Sequence, residues 1–134
     1  VPFVSGKPLL SVLTTPYLGL RCTKMERHLH VSQAFVPLGG AAAALAVAAP
    51  TPDRACPRIE DIRAFLLDGS CGYVLHVGTW HSLDRHPLAP PATTYLMISD
   101  HETQIDLVLT WRYFVVAVFH LDSHLLECEY GVAP

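Results

Sequence analysis

The sequence predicts an all-β fold of the sandwich or small-barrel type, and three observations predict it. Eleven prolines are spread through 134 residues, so few windows can hold a long helix. Short runs of β-forming and apolar residues recur along the chain. Turn chemistry separates them: Pro16, Gly39-Gly40, PTPD, DGS and PLAPP stand at the spacing of short strands in a sandwich or barrel.

Taken in order, LLSVLTT (9–15) is the first candidate strand and stops at Pro16. GLRCTKMERHLH (19–30) is the second, and QAFVPL (33–38) the third, closed by the glycine pair. The alanine run AAALAVAA (42–49) favours helix on intrinsic propensity. Confined between Gly40 and Pro50, it still reads as a strand. IRAFLL (62–67) follows, and the preceding IED can form one helical turn leading into it. YVLHVG (73–78), TTYLMIS (93–99) and IDLVLTWRYFVVAV (105–118) complete the set. The last stretch, HLDSHLLECEY, fits strand or helix.

The length is that of one domain, residues 1–134, with room for one core and one site. A net charge of -3 with 16% charged residues leaves no basic face, which excludes nucleic acid as the expected partner. A small-molecule substrate or a protein partner is expected instead. Hydrophobic residues make up 51%, but the most apolar stretches are too short or too interrupted to cross a bilayer as helices, so no membrane association is expected. Cys22, Cys56, Cys71 and Cys128 form no CxxC and no close pair, the usage of reduced thiols in a cytoplasm. The chain opens at VPFVSG without a methionine, and an N-terminal piece is expected to precede it.

If MERHLH runs as a strand, residues two apart share a face, so Glu26, His28 and His30 project together while Arg27 and Leu29 point away. After Glu26-x-His28 come four residues, then Gln33, then six, then Gly40. That is the spacing of the first cupin motif, with Glu26 in place of its first histidine and Gln33 in place of its glutamate. Downstream, His76-x-Gly78-x-x-His81 fits the second cupin motif, with His76 at its proline position. Two degenerate motifs in the right order, about thirty residues apart, say more than either one does.

The words themselves go further. ERHLHVSQAFVPLGG, RAFLLDGSCGYVLHVGTWHSL and ETQIDL, between Ser11 and Leu107, resemble the ureidoglycolate lyase family. Its members carry ERHP, QAF, RAF and WH words in this order. The resemblance implies a cupin-type small β-barrel or jelly roll, truncated here at the N-terminus, commonly a homodimer. The implied activity is release of urea and glyoxylate from ureidoglycolate late in allantoin and purine catabolism. The positions it carries over are Glu26, Arg27, His28, Gln33, Phe35, Pro37, Gly40, Gly72, His76, Trp80 and His81. The chain departs from the family at Gly39, where a lysine is frequent, in the smallness of its alanine strand, and after Leu107, where the resemblance fades.

Ureidoglycolate is a hemiaminal whose central carbon bears a hydroxyl, a carboxylate and a urea nitrogen. Breaking the C–N bond takes a base for the hydroxyl, an acid for the leaving nitrogen and donors for the carboxylate. Histidine titrates near neutrality and serves as base or acid, and a neighbouring glutamate orients it. The catalytic set is therefore Glu26, His28, His76 and His81, with Arg27, Gln33 and Trp80 as substrate-binding candidates. The competing use of the cluster is a divalent metal held by Glu26, His28, Gln33 and His81; the cofactor expectation is that metal or none. A metal-dependent cupin isomerase or dioxygenase and a catalytically inactive ligand-binding cupin are the alternative functions.

Bland readings apply elsewhere. His101, His120 and His124 read as solvent-facing, and His86 as a structural or exposed residue of a turn-rich segment. Asp84-Arg85 reads as a surface ion pair of little worth.

Overall fold

The computed structural model describes residues 7–52, 56–101 and 103 and the strands 114–119 and 126–130. Among the described residues the elements are strands, apart from one short 3₁₀ turn and a helical residue at Thr103. The strands are β1 (Pro8–Pro16), β2 (Arg21–Glu26), β3 (Gln33–Leu38), β4 (Ala43–Ala48), β5 (Arg63–Leu67), β6 (Tyr73–Leu75), β7 (Trp80–Ser82), β8 (His86–Pro87), β9 (Ala92–Asp100), β10 (Phe114–Phe119) and β11 (Leu126–Tyr130). A single 3₁₀ turn, Ile59–Asp61, leads into β5, as IEDIRAFLL predicts. None of the described helices is long and apolar enough to cross a membrane.

Two antiparallel sheets result, a jelly-roll-like arrangement that bears out the all-β reading. One runs β1-β9-β3-β6; the other runs β11-β10-β2-β7-β4-β5, with β8 also on β4. In the first sheet the period of two is clear in β1 and in the first half of β9. Leu13 lies opposite Tyr95, and Phe35 opposite both Met97 and Tyr73, and these side chains turn inward. Leu10, Val12, Val36 and Val74 occupy the alternate positions and face out.

The inner core joins the sheets: Phe35, Leu75 and Tyr95 of the first pack with Leu45 of the second, and Val47 and Leu13 lie against them. A second cluster sits on the opposite face of the second sheet and holds Cys22, Met25, Ala46, Ala48, Ile62 and Trp80. β4 is thus buried on both faces, since Leu45 belongs to one cluster and Ala46 and Ala48 to the other. That settles the ambiguity of the alanine run. Two-sided burial with β5, β7 and β8 all pairing to it leaves room for only small side chains on the face of Ala46 and Ala48, and tertiary packing overrides helix propensity.

The strand spans differ from expectation at the site. β2 ends at Glu26 rather than at residue 30, so the chain from Arg27 to Ser32 follows no strand alternation. His30 is consequently exposed, although a flat strand would have placed it beside His28. β6 ends at Leu75, which leaves His76 to Thr79 as a turn before the short β7. Of the expected strand 105–118, only the stretch from Phe114 lies among the described residues; His120 and His124 lie outside them.

Candidate active site

Register brings the first two site residues together. Glu26, last in β2, pairs directly with His81 in β7, and His81 pairs with Val47 in β4. Since Val47 packs on the inner core, this row of side chains faces the barrel interior. His28 joins from the segment after β2. Its carbonyl accepts a 2.7 Å hydrogen bond from the Gly78 N–H, which ties the His28 loop to the turn before β7. Gly78 meets this task with φ of +80°, a conformation that favours glycine, and a Cβ there would stand 3.2 Å from Pro50.

Glu26 Oε1 lies 3.2 Å from His81 Nε2 and 3.8 Å from His28 Nε2, and the two imidazole rings are 5.4 Å apart between centroids. All three residues are buried, His81 to 1% exposure. One potential ligand atom from each falls within 4.8 Å of the others, so the cluster could hold a metal ion. The other ring nitrogen of His81, Nδ1, lies 3.1 Å from the Thr79 carbonyl. A carbonyl only accepts, so Nδ1 carries the proton and Nε2 of the neutral ring presents a lone pair to the Glu26 carboxylate. Two acceptors at 3.2 Å need a proton or a cation between them. A carboxylate and two imidazoles, one oriented by a backbone carbonyl, are a donor set that suits a divalent transition metal.

The electrostatics set the charge states of the cluster. Burial pushes the Glu26 carboxyl up, but hydrogen bonding and charge from His28 and His81 outweigh it and leave its pKa at about 2. For His81 burial dominates and lowers the pKa below the ordinary 6.5; Glu26 opposes this and the Arg85 charge adds to it. Glu26 is therefore ionised and His81 neutral at neutral pH.

A stability profile follows for metal-free protein. Below pH 6.5 the unfolded chain takes up a proton that buried His81 resists, and between pH 4.5 and about 2 it takes up one that Glu26 resists. The unfolded state binds more protons in both windows, so stability falls as pH drops. The Glu26 share is on the order of 3 kcal/mol, lost progressively below pH 4.5. Melting temperature against pH in the presence of chelator measures this, and Glu26→Gln should flatten the limb below pH 4.5. An unchanged limb in that variant would rule out Glu26 as its source.

The remaining expected residues are placed less uniformly. Gln33 lies on the inward face of β3, opposite Leu75, and its Nε2 donates to Met97 Sδ at 3.8 Å while its Oε1 has no hydrogen-bond partner. It reaches the interior from the sheet facing the cluster. His76 sits exposed in the turn before β7, and no contact ties its ring to the cluster. Arg27 and Trp80 are buried on the other face of the second sheet. Arg27 Nη1 donates to the Thr51 carbonyl at 2.6 Å, its guanidinium lies 4.8 Å from the Trp80 ring centre, and Trp80 Nε1 donates to Thr51 Oγ1 at 2.9 Å. They clamp the segment after β4 onto the sheet and are not brought to the Glu26 cluster.

Two residues depart from the bland readings. His86 is a buried residue of β8, paired with Ala44. Arg85 is no surface residue: it is 2% exposed and enters the interior over the Phe35 ring. A two-residue strand flanked by turns offers no periodicity from which its direction could be read. Asp84 and His86, on either side of Arg85, line a separate depression with Thr15, Leu18 and Arg21, and no residue of the cluster lines that depression.

Known proteins share much of this sequence. A family model described as ureidoglycolate lyase matches residues 5–117. The ureidoglycolate lyase of Burkholderia cepacia is 39% identical over 85 residues, which cover 62% of this chain and 44% of that protein. That of Pseudomonas paraeruginosa (strain DSM 24068 / PA7) is 44% identical over 69 residues, covering 52% and 37%. That of Pseudomonas savastanoi pv. phaseolicola (strain 1448A / Race 6) is 38% identical over 84 residues, covering 61% and 45%. The chain thus spans less than half the length of the curated relatives it matches. With most of its residues matched, and both halves of the histidine cluster inside the match, this chain belongs to the ureidoglycolate lyase family.

Proposed function

We propose that the protein cleaves the hemiaminal C–N bond of ureidoglycolate, giving glyoxylate and urea. The observation that carries this reading is the Glu26, His28 and His81 cluster, buried in the barrel with the His81 tautomer fixed by Thr79. Neutral His81 offers Nε2 as the acceptor for the substrate hydroxyl proton, and ionised Glu26 stabilises the imidazolium that forms. His28 stands beside His81, 3.8 Å from the same Glu26 oxygen, and is placed to protonate the departing urea nitrogen. In the alternative use of these atoms Glu26, His28 and His81 hold a divalent metal, with Gln33 Oε1 as a further oxygen donor from the facing sheet. Such a metal would supply Lewis-acid polarisation of the substrate's oxygens. Urea release from ureidoglycolate, corrected for spontaneous decay and run with added divalent metal and with chelator, is the test. Release no faster than background in folded protein under both conditions rejects the lyase reading and leaves a ligand-binding cupin.

The same reading places the protein in cytoplasmic allantoin breakdown, which the unbridged cysteines Cys56 and Cys71 support. It also includes a homodimer. The outward face of the first sheet exposes Leu10, Val12, Val36 and Val74 at 61%, 65%, 41% and 46%, and register makes them neighbours through Ile98 and Leu96. A continuous apolar sheet face of this kind favours a partner. Light scattering should give a dimer at micromolar concentration, and Val12→Glu should shift it to monomer. A monomeric parent chain would refute the dimer.

A further inference from the structure

Arg85 is the one cation buried between the sheets among the described residues that the proposed chemistry leaves unused. Three of its contacts fix its position. Its guanidinium carbon lies 3.8 Å from the Phe35 ring centre, its Nε donates to Tyr73 Oη at 2.9 Å, and its Nη1 donates to the Leu83 carbonyl at 3.1 Å. Phe35 and Tyr73 are themselves stacked, with ring centres 5.2 Å apart, and both project inward from the first sheet. The side chain is therefore held in place against aromatic walls.

What it lacks is an anion. Nη2 is buried and makes no hydrogen bond, and no carboxylate among the described residues forms an ion pair with Arg85. A buried cation without a counter-charge is costly to a fold, and guanidinium matches carboxylate geometry better than any other side chain does. Fold stability alone would favour an apolar residue against Phe35. We propose that Arg85 is the carboxylate anchor of the barrel interior, its free Nη2 edge receiving the carboxylate of a small α-hydroxy acid.

The α-hydroxy acid is named on the strength of the lyase reading, whereas the anion site stands on Arg85 itself.

The probes are glycolate and its neutral amide, glycolamide, titrated calorimetrically into chelator-treated protein so that no metal contributes. Glycolate should bind at least 30-fold more tightly than glycolamide. Arg85→Met, which fills the space without the charge, should keep or raise the melting temperature and weaken glycolate at least 30-fold; Arg85→Lys should fall between. In turnover, Arg85→Met should raise KM for ureidoglycolate far more than it lowers kcat. Equal binding of acid and amide by the parent chain, or unchanged glycolate affinity in Arg85→Met, overturns the anchor. If Arg85→Met does not fold, the acid-to-amide ratio of the parent chain and of Arg85→Lys decides, and a ratio that Lys leaves unaltered overturns it. The two readings fail separately. Glycolate binding through Arg85 without urea release rejects the lyase alone, and urea release with KM indifferent to Arg85 rejects the anchor alone.

Discussion

His81→Ala should lower the rate of urea release by about two to four orders of magnitude, the worth of a positioned acid or base. His81 is the point where the two halves of the site meet: it pairs with Glu26 in register, and its Nδ1 is fixed on Thr79. Removing the imidazole takes away the acceptor and also leaves the Glu26 carboxylate buried with one partner fewer. His76→Ala, by contrast, changes an exposed turn residue and should leave the rate within a factor of a few. Steady-state kinetics on the two variants, with circular dichroism to confirm folding, make the comparison. Equal losses would return His76 to the mechanism and remove the special role of His81.

Trp80→Ala should destabilise the fold by about 3–5 kcal/mol, a large part of the 5–15 kcal/mol typical of a domain. Trp80 is 2% exposed and packs with Cys22, Met25, Ala46, Ala48 and Ile62. It also donates to Thr51 and lies under Arg27, so its loss opens a cavity and releases the segment after β4 at once. Chemical denaturation measures the change. Trp80→Phe, which keeps the ring but not the N–H, should cost less than half as much. A Trp80→Ala protein of parental stability with a raised KM would mean that the ring contacts substrate after all.

The contrast between Trp80 and His81 shows what could be read in the sequence. Motif spacing found Glu26, His28 and His81, because a ligand set on neighbouring strands leaves fixed intervals. Spacing does not tell which face a side chain takes once the strand stops, and β2 stops at Glu26. His30 therefore went out to solvent while His28 stayed in. The strands of the first sheet were legible because one face is buried and one is not, so the period of two survives in β1 and in the first half of β9. β4 lacked that signal because it is buried on both faces. Arg85 was illegible for a different reason. Its neighbours Asp84 and Leu83 look like turn residues, and only contacts with Phe35 and Tyr73, far away in sequence, turn it inward.

The hydrogen bond from His81 to Thr79 has a consequence for how this site tolerates variation. Its acceptor is a main-chain oxygen, so the identity of the side chain at position 79 does not enter. Codon changes there that preserve the turn would be silent with respect to the proton on the ring, whereas an orienting aspartate or glutamate could be lost in one step. Drift at Thr79 is thereby uncoupled from the protonation pattern of the centre. What must persist is the shape of the turn, and that shape is guarded by Gly78 and its bond to the His28 carbonyl.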